Sequence, residues 1–231
     1  MRQAPLQPAL LLLTTSLLAV TPPAAAAEEP GVLVDRIVAT VSQRPISASE
    51  VAMESAIRTR IQGLKAKQAF GRLLTEPGEP LEAVIFKIIL LQQPSTAEVQ
   101  LDDMTMAEQR LDRFEQSFDN PLLFAAFLKR WAITQQDLLE FFHLYARLDT
   151  VIEVSVDPQV KEEEERAYYE RNRDQVFGGR EFTEVADLVS RQVYLLKFEV
   201  EYNAWRSRLR ARASKRYIGR GSNNKGIVLD K

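Results

Sequence analysis

The chain contains no cysteine, which excludes a disulfide framework, a thiolate metal site, a Cys/His nucleophile and lipid attachment through a cysteine. Its one histidine, His143, cannot build a zinc constellation alone, and no nucleophile-elbow pattern G-x-S-x-G accompanies it. No apolar run reaches the roughly 20 residues that a membrane-spanning helix requires. Charge of either sign is not in excess: 30 lysines and arginines oppose 32 aspartates and glutamates, a formal net charge of −2. No global field therefore draws the chain to nucleic acid. No repeat of fixed period is visible, and stability has to come from packing.

What is present begins with the layout of a secretory leader. Arg2 precedes the apolar block from Ala9 to Val20, and small residues ending Ala25-Ala26-Ala27 offer an A-x-A cleavage site before Glu28. Residues 1–27 are therefore expected to be a signal peptide and the mature protein to be exported. The β-branched run Val32–Val41 predicts a strand. A short polar turn then leads into a helix, where Ser47 and Glu50 stand at capping-box spacing and Ile46 and Val51 where a hydrophobic staple sits.

Beyond this point nearly every boundary reads as a helix start. An amphipathic helix is expected over 48–69, carrying Val51, Ile57, Ile61 and Leu64, and Thr75–Pro80 breaks it. Leu81–Leu91 is apolar nearly all round, which predicts a centrally buried helix. Pro94 interrupts it, and Ser95–Glu98 and Thr105–Glu108 both have capping-box spacing. Asn120-Pro121, Thr134–Asp137 and Asp157-Pro158 predict three further starts, the last for a helix reaching Asn172. Gly178-Gly179 breaks the chain before a long helix beginning near Thr183, and Ser214–Ile218 is expected to finish as a short strand paired with the first. The fold class expected is mainly α, with a small antiparallel β element joining the N- and C-terminal segments. Residues 28–218 would form one discontinuous domain (33–175 plus 181–218), followed by a flexible tail over 219–231.

The order of these elements resembles the chaperone part of SurA-type periplasmic folding factors, a trigger-factor-like helical fold. The likeness is carried by Val34–Val41 with Pro45–Val51, by Phe124–Leu128 followed by Ile133–Leu138, by Tyr168–Asn172, and by Trp205 with Arg208–Ala213. It spans most of the chain, from about Leu33 to Ile218. In that family a parvulin-type prolyl isomerase domain usually lies between the Tyr-Tyr helix and the last long helix. Here Gln175-Val176-Phe177 passes through Gly178-Gly179-Arg180 straight into Glu181–Val185, leaving no room for a domain of roughly 50 residues or more. The resemblance implies a periplasmic holdase, not an enzyme, that binds apolar segments of unfolded envelope proteins and serves outer membrane protein assembly. The alternative is an envelope assembly or secretion adaptor with one fixed partner on the same fold.

Several groups invite sharper chemistry. His143 lies among Phe141, Phe142, Leu144 and Tyr145, which favours a packed or surface histidine over a catalytic one. Glu162–Glu165 falls in the first turn of a helix, where negative charge offsets the dipole, and consecutive residues diverge around the helix instead of caging a cation. The arginines from Arg206 to Arg216 end the last helix, again dipole-compatible, and are expected to be solvated. No cofactor, metal or nucleic acid is therefore expected. The open question is Phe114, Phe118, Phe124, Phe127, Trp131, Phe141 and Phe142: at helical spacing they suit a core, while a chaperone needs some of them to line a client-binding groove. The missing isomerase insert yields the first prediction. The purified protein leaves cis/trans conversion of a proline peptide at its uncatalysed rate in a protease-coupled assay, and clear acceleration contradicts the non-enzymatic reading.

Overall fold

The computed structural model describes residues 35–99, 101 and 103–218. The expected leader, Val32–Val34 of the expected first strand, and the expected tail over 219–231 lie outside the described residues. β1 (Ile37–Val41) and β2 (Arg44–Ser47) form an antiparallel hairpin whose two-residue loop places Ser42 at a φ of 54°. The polar turn expected before the helix is thus partly a strand. Alternation explains it: Ile46 is fully buried on the face shared with Ala39 and Val41, while Arg44 and Pro45 are exposed. In the strand order β2-β1-β3 the proline sits in an edge strand, where a missing amide donor is tolerated.

Ser47 ends β2 and caps α1 (Ala48–Gln62), its Oγ accepting from the Glu50 amide at 3.1 Å. Ile46 and Val51 pack into one apolar cluster, as the staple requires. The helix is shorter than the expected 48–69 and ends at Gly63. A 3₁₀ turn over Lys67–Phe70 and α2 (Arg72–Thr75) follow, because Gly71 at φ 83° turns the chain back onto α1. The inward side of α1 also carries two charges that apolar periodicity does not reveal: Glu54 and Arg58 are buried beside Ile57 and Ile61.

α3 (Pro80–Leu91) is the central helix that its composition predicts, buried without interruption from Val84 to Leu90. Val84, Ile85, Ile88 and Ile89 meet Ala39, Val41 and Ile46 of the sheet, and Phe86 and Leu90 face the larger core. Each such side chain contributes about 1.5–3 kcal/mol. Lys87, in the same buried run, is held by Glu54 at 2.7 Å and Glu50 at 3.1 Å, and Tyr145 donates its hydroxyl proton to Glu54. Burial and the Glu54 charge raise the Tyr145 pKa well above its ordinary value, so it stays a donor.

The remaining starts divide. α6 (Pro121–Trp131) and α7 (Gln135–Ser155) begin where expected, Asn120 accepting from Leu123 N at 3.1 Å and Thr134 forming a capping box with Asp137. Three signatures are unused. α4 (Pro94–Glu98) starts at Pro94 after Gln93, which makes Ser95 already helical. α5 (Thr105–Gln116) starts at Thr105 itself, whose amide Asp103 accepts at 2.8 Å. Val156 and Pro158 are buried in an extended link, so α8 (Glu162–Asn172) starts four residues beyond Pro158, with Lys161 and Glu164 in reciprocal contact. α9 (Phe182–Arg212) is the long last helix, and β3 (Lys215–Tyr217) follows it.

The fold is mainly α with a small three-stranded antiparallel sheet that joins the two ends of the domain. β3 pairs with β1 in the register Ala39↔Tyr217 to Val41↔Lys215, flanked by Ser42 N donating to Ser214 O at 2.7 Å and Ile218 N donating to Val38 O at 2.8 Å. The Tyr217 hydroxyl also reaches Glu82 of α3 at 2.6 Å. Deleting residues 214–218 should accordingly cost about 2–4 kcal/mol, at about 0.5–1.5 kcal/mol for each net hydrogen bond lost. Calorimetry should register a melting point lower by about 5–15 °C; an unchanged one would show that the closure is dispensable.

Candidate functional site

Asp149, about two-thirds of the way along α7, organises a cleft between that helix and α9. Its carboxylate is buried and accepts from the Leu73 amide at 3.1 Å, which caps α2 from a distance. Its other oxygen meets Arg110 of α5 at 3.0 Å, and Arg110 is itself buried. Burial raises the Asp149 pKa and the Arg110 charge opposes that shift. The approach of α2 is so close that a Cβ on Gly71 would lie 1.8 Å from Asp149 Oδ2. One carboxylate thus fixes the 3₁₀ turn and α2 against α5 and α7, and together these form the floor.

α9 supplies the wall. Its first half buries Val185, Val189 and Val193 against Tyr169 and Phe177 of the α8 hairpin. Its second half buries Phe198 and Tyr202 in the main core, with Trp205 and Leu209 partly buried there. From Val193 to Phe198 is five residues, about 140° around the helix at 100° per residue, so the helix changes the side it buries. Tyr194, Leu195 and Phe198 fall at the change and line the cleft opposite Met106, Arg110, Asp149 and Ile152. The volume is about 680 Å³, within the range of ligand-accepting clefts. Met106 and Leu195 are 53% and 48% exposed, apolar groups with no covering element.

The rim is polar. Arg72 makes a bidentate pair with Glu199 (3.1 and 2.5 Å) and lies over the Phe198 and Tyr202 rings at 5.0 and 4.8 Å. Burial and the neighbouring Asp157 and Glu153 charges raise the Tyr194 pKa. Arg72, Met106, Asp149, Tyr194 and Leu195 were not among the groove candidates read from sequence. Met106 stands in a largely polar stretch and Leu195 in an apolar one, and nothing local marks them as neighbours.

The seven aromatic candidates lie elsewhere. Phe114, Phe124 and Phe142 are buried in the main core, Phe114 and Phe142 in edge contact with centroids 5.6 Å apart. Phe118, Phe127 and Phe141 are partly buried against them, and Arg60 stacks over Phe118 at 3.6 Å from the ring centroid. Phe127 and Trp131 alone of the seven line an open recess, about 590 Å³ between α1 and α6 and flanked by Arg60 and Arg130.

His143 contacts the Leu101 carbonyl through Nε2 at 2.8 Å. Glu162 pairs with Arg166 and Glu164 with Lys197, and no group of acidic or histidine ligands fit to hold a metal occurs among the described residues. Of the arginines at the end of α9, Arg208 and Arg212 are exposed, as expected, whereas Arg206 and Arg210 are part-buried. Arg206 pairs with Glu76 and lies 5.0 Å from the Phe86 ring centroid, and Arg210 pairs with Glu82, so these cations tie α9 to α3 and to the loop before it. Among the described residues no helix is long and apolar enough to cross a membrane.

No family model, curated protein or solved structure matches the chain. The floor of the cleft depends on the Arg110–Asp149 pair, and Nε and Nη1 of Arg110 have no other partner among the described residues. Asp149→Ala should therefore cost about 3–5 kcal/mol in urea unfolding, because it strands a buried cation. Arg110→Met combined with Asp149→Leu should cost at least about 1 kcal/mol less than that single change. Equal losses in both would mean that the charges are not coupled.

Proposed function

We propose that this protein is an exported, periplasmic holdase that reversibly captures apolar segments of unfolded envelope proteins in the cleft between α7 and α9, with no bond made or broken. The observation that carries the reading is the cleft itself: Met106 and Leu195 exposed on opposite walls, Ala146, Ile152 and Phe198 between them, and the Arg72, Arg110 and Asp149 charges of the lining paired within the chain. Apolar walls beside charges that are already partnered select for apolar content and against no particular sequence. Methionine at such a wall adapts to differing side chains because it is unbranched and polarisable.

The resemblance to SurA-type folding factors supports the same reading. So does the order of the elements, in which a strand near the start and a strand after the last helix close one helical body. Arg173–Glu181 joins α8 to α9 directly, at the place where that family usually carries its isomerase domain. Client release needs no energy source if affinity is modest. Walls with so little exposed apolar surface support micromolar capture at best, since ordering an extended chain offsets much of the gain.

At modest molar excess the protein should suppress aggregation of an unfolded outer-membrane barrel protein, followed by light scattering. Met106→Asp with Leu195→Asp should weaken that suppression about thirtyfold, one charged replacement on each wall being worth roughly 1 kcal/mol, with unchanged helical circular dichroism. Full activity in the double variant would remove the cleft from the proposal. A pull-down that returns one stoichiometric partner instead of many aromatic-rich clients would favour the adaptor.

A further inference from the structure

The α8–α9 hairpin has a second flank, beside the Tyr169–Phe177 contact and bridged by the Glu164–Lys197 ion pair, on which Glu163, Ala167, Arg171 and Leu196 are exposed. A shallow groove of about 400 Å³ runs between the two helices there, with Ala167 and Tyr168 on one side and Val193 and Leu196 on the other. Leu196 is 54% exposed and Val200, one turn further along α9, is 70% exposed. Glu163, Ala167 and Arg171 stand at four-residue intervals on α8 and therefore share one stripe of that face. The stripe has a carboxylate at one end, a small residue in the middle and a guanidinium at the other.

We propose that this face binds a second copy of the chain, antiparallel and two-fold about Ala167, to make a four-helix contact from two hairpins. Charge selects the occupant. In an isologous contact, whatever lies at one end of the stripe meets what lies at the other end of its mate. Glu163 of each copy then faces Arg171 of the other, twice. A parallel arrangement would set like charges together, which is unfavourable. Both groups are available: neither has an ion-pair partner among the described residues, and Arg171 folds back along α8, its Nε donating to the Ala167 carbonyl at 3.0 Å. Ala167 between them lets the helices approach, and Leu196 and Val200 supply the apolar area. The face is only about 16 Å long along α8, at 1.5 Å per residue. That is small for an obligate interface, so the dimer is a weak, concentration-dependent one with a dissociation constant in the micromolar range.

Sedimentation velocity of the mature protein over a hundredfold concentration range tests this. The wild type should pass from monomer to dimer, and Leu196→Glu should remain monomeric with unchanged circular dichroism and melting point. Glu163→Arg and Arg171→Glu should each weaken association about five- to tenfold, and the two together should restore it. A wild type that stays monomeric throughout overturns the proposal, as does a dimer indifferent to Leu196→Glu. A double charge reversal that fails to restore association overturns the antiparallel pairing. If Leu196→Glu instead abolishes aggregation suppression while the mass is monomeric in both proteins, the occupant is an unfolded client and not a second copy.

Discussion

The constraint on which the structure turns is the buried ammonium of Lys87. Seven consecutive residues of α3 are inside, and six of them are apolar; the seventh is a charge only 7% exposed. An ion in that position costs several kcal/mol unless carboxylates meet it in good geometry. Glu54 and Glu50 of α1 do so, and Tyr145 of α7 occupies the remaining face of Glu54. Satisfying one cation therefore fixes the rotation of α1 and α7 about α3. The sheet inherits its position from the opposite side of α3, and the cleft inherits its floor from α7. A core of leucines in the same places could have slid along α3 by a turn; this one has a single register.

A related device operates at longer range. Asp149, one turn further along the same face of α7, holds α2 and α5 by one carboxylate, as Tyr145 holds α1 by one hydroxyl. α7 is in this sense a rod with two polar clamps, separated by four residues, about one helical turn. The stretch of α7 in the floor of the cleft, Ala146 to Glu153, includes the second clamp. Its rigidity comes from buried polar contacts, and the wall opposite, α9, is held to α3 and the preceding loop by Arg206 and Arg210. Two sets of ionic ties converging on α3 determine how far apart the walls stand.

Much of this scaffold was legible in the sequence, and the reason differs element by element. Asn120-Pro121 and Thr134–Asp137 report their helices because a cap and the helix it starts are local, a matter of three residues. The strand near Tyr217 and its pairing with β1 followed from β-branched composition at one end and from the family likeness of the whole. Where local chemistry misled, burial had decided otherwise. Ser95, Thr105 and Asp157 each carry capping side chains, but Pro94, Asp103 and the buried Val156–Pro158 link fixed the boundaries first. The strand Arg44–Ser47 is hidden in the sequence, where a polar turn is expected before the Ile46–Ser47 start of the helix, because Ile46 is its one buried apolar residue. The cleft was not legible. Arg110 and Asp149 lie 39 residues apart and Leu73 and Asp149 76 apart, distances over which periodicity carries no information, while the aromatics that do stand out in the sequence stand out because they form the core.

The long helix explains why a chain of this size has both a core and an unfilled cleft. A helix that buried one stripe along its whole length would lie flat against the body and close the space between. α9 instead gives its first half to α8 and its second half to α3 and α7, and between Val193 and Phe198 neither partner is in reach of both sides. Tyr194 and Leu195 are left between them. Val193 cannot be turned toward α7 without exposing it on the α8 side, and Phe198 cannot be turned toward α8 without emptying the main core. The vacancy at the change of stripe is thus maintained by two hydrophobic contacts pulling on opposite faces of one helix, and shortening α9 by a residue or two there would rotate one half against the other and close it.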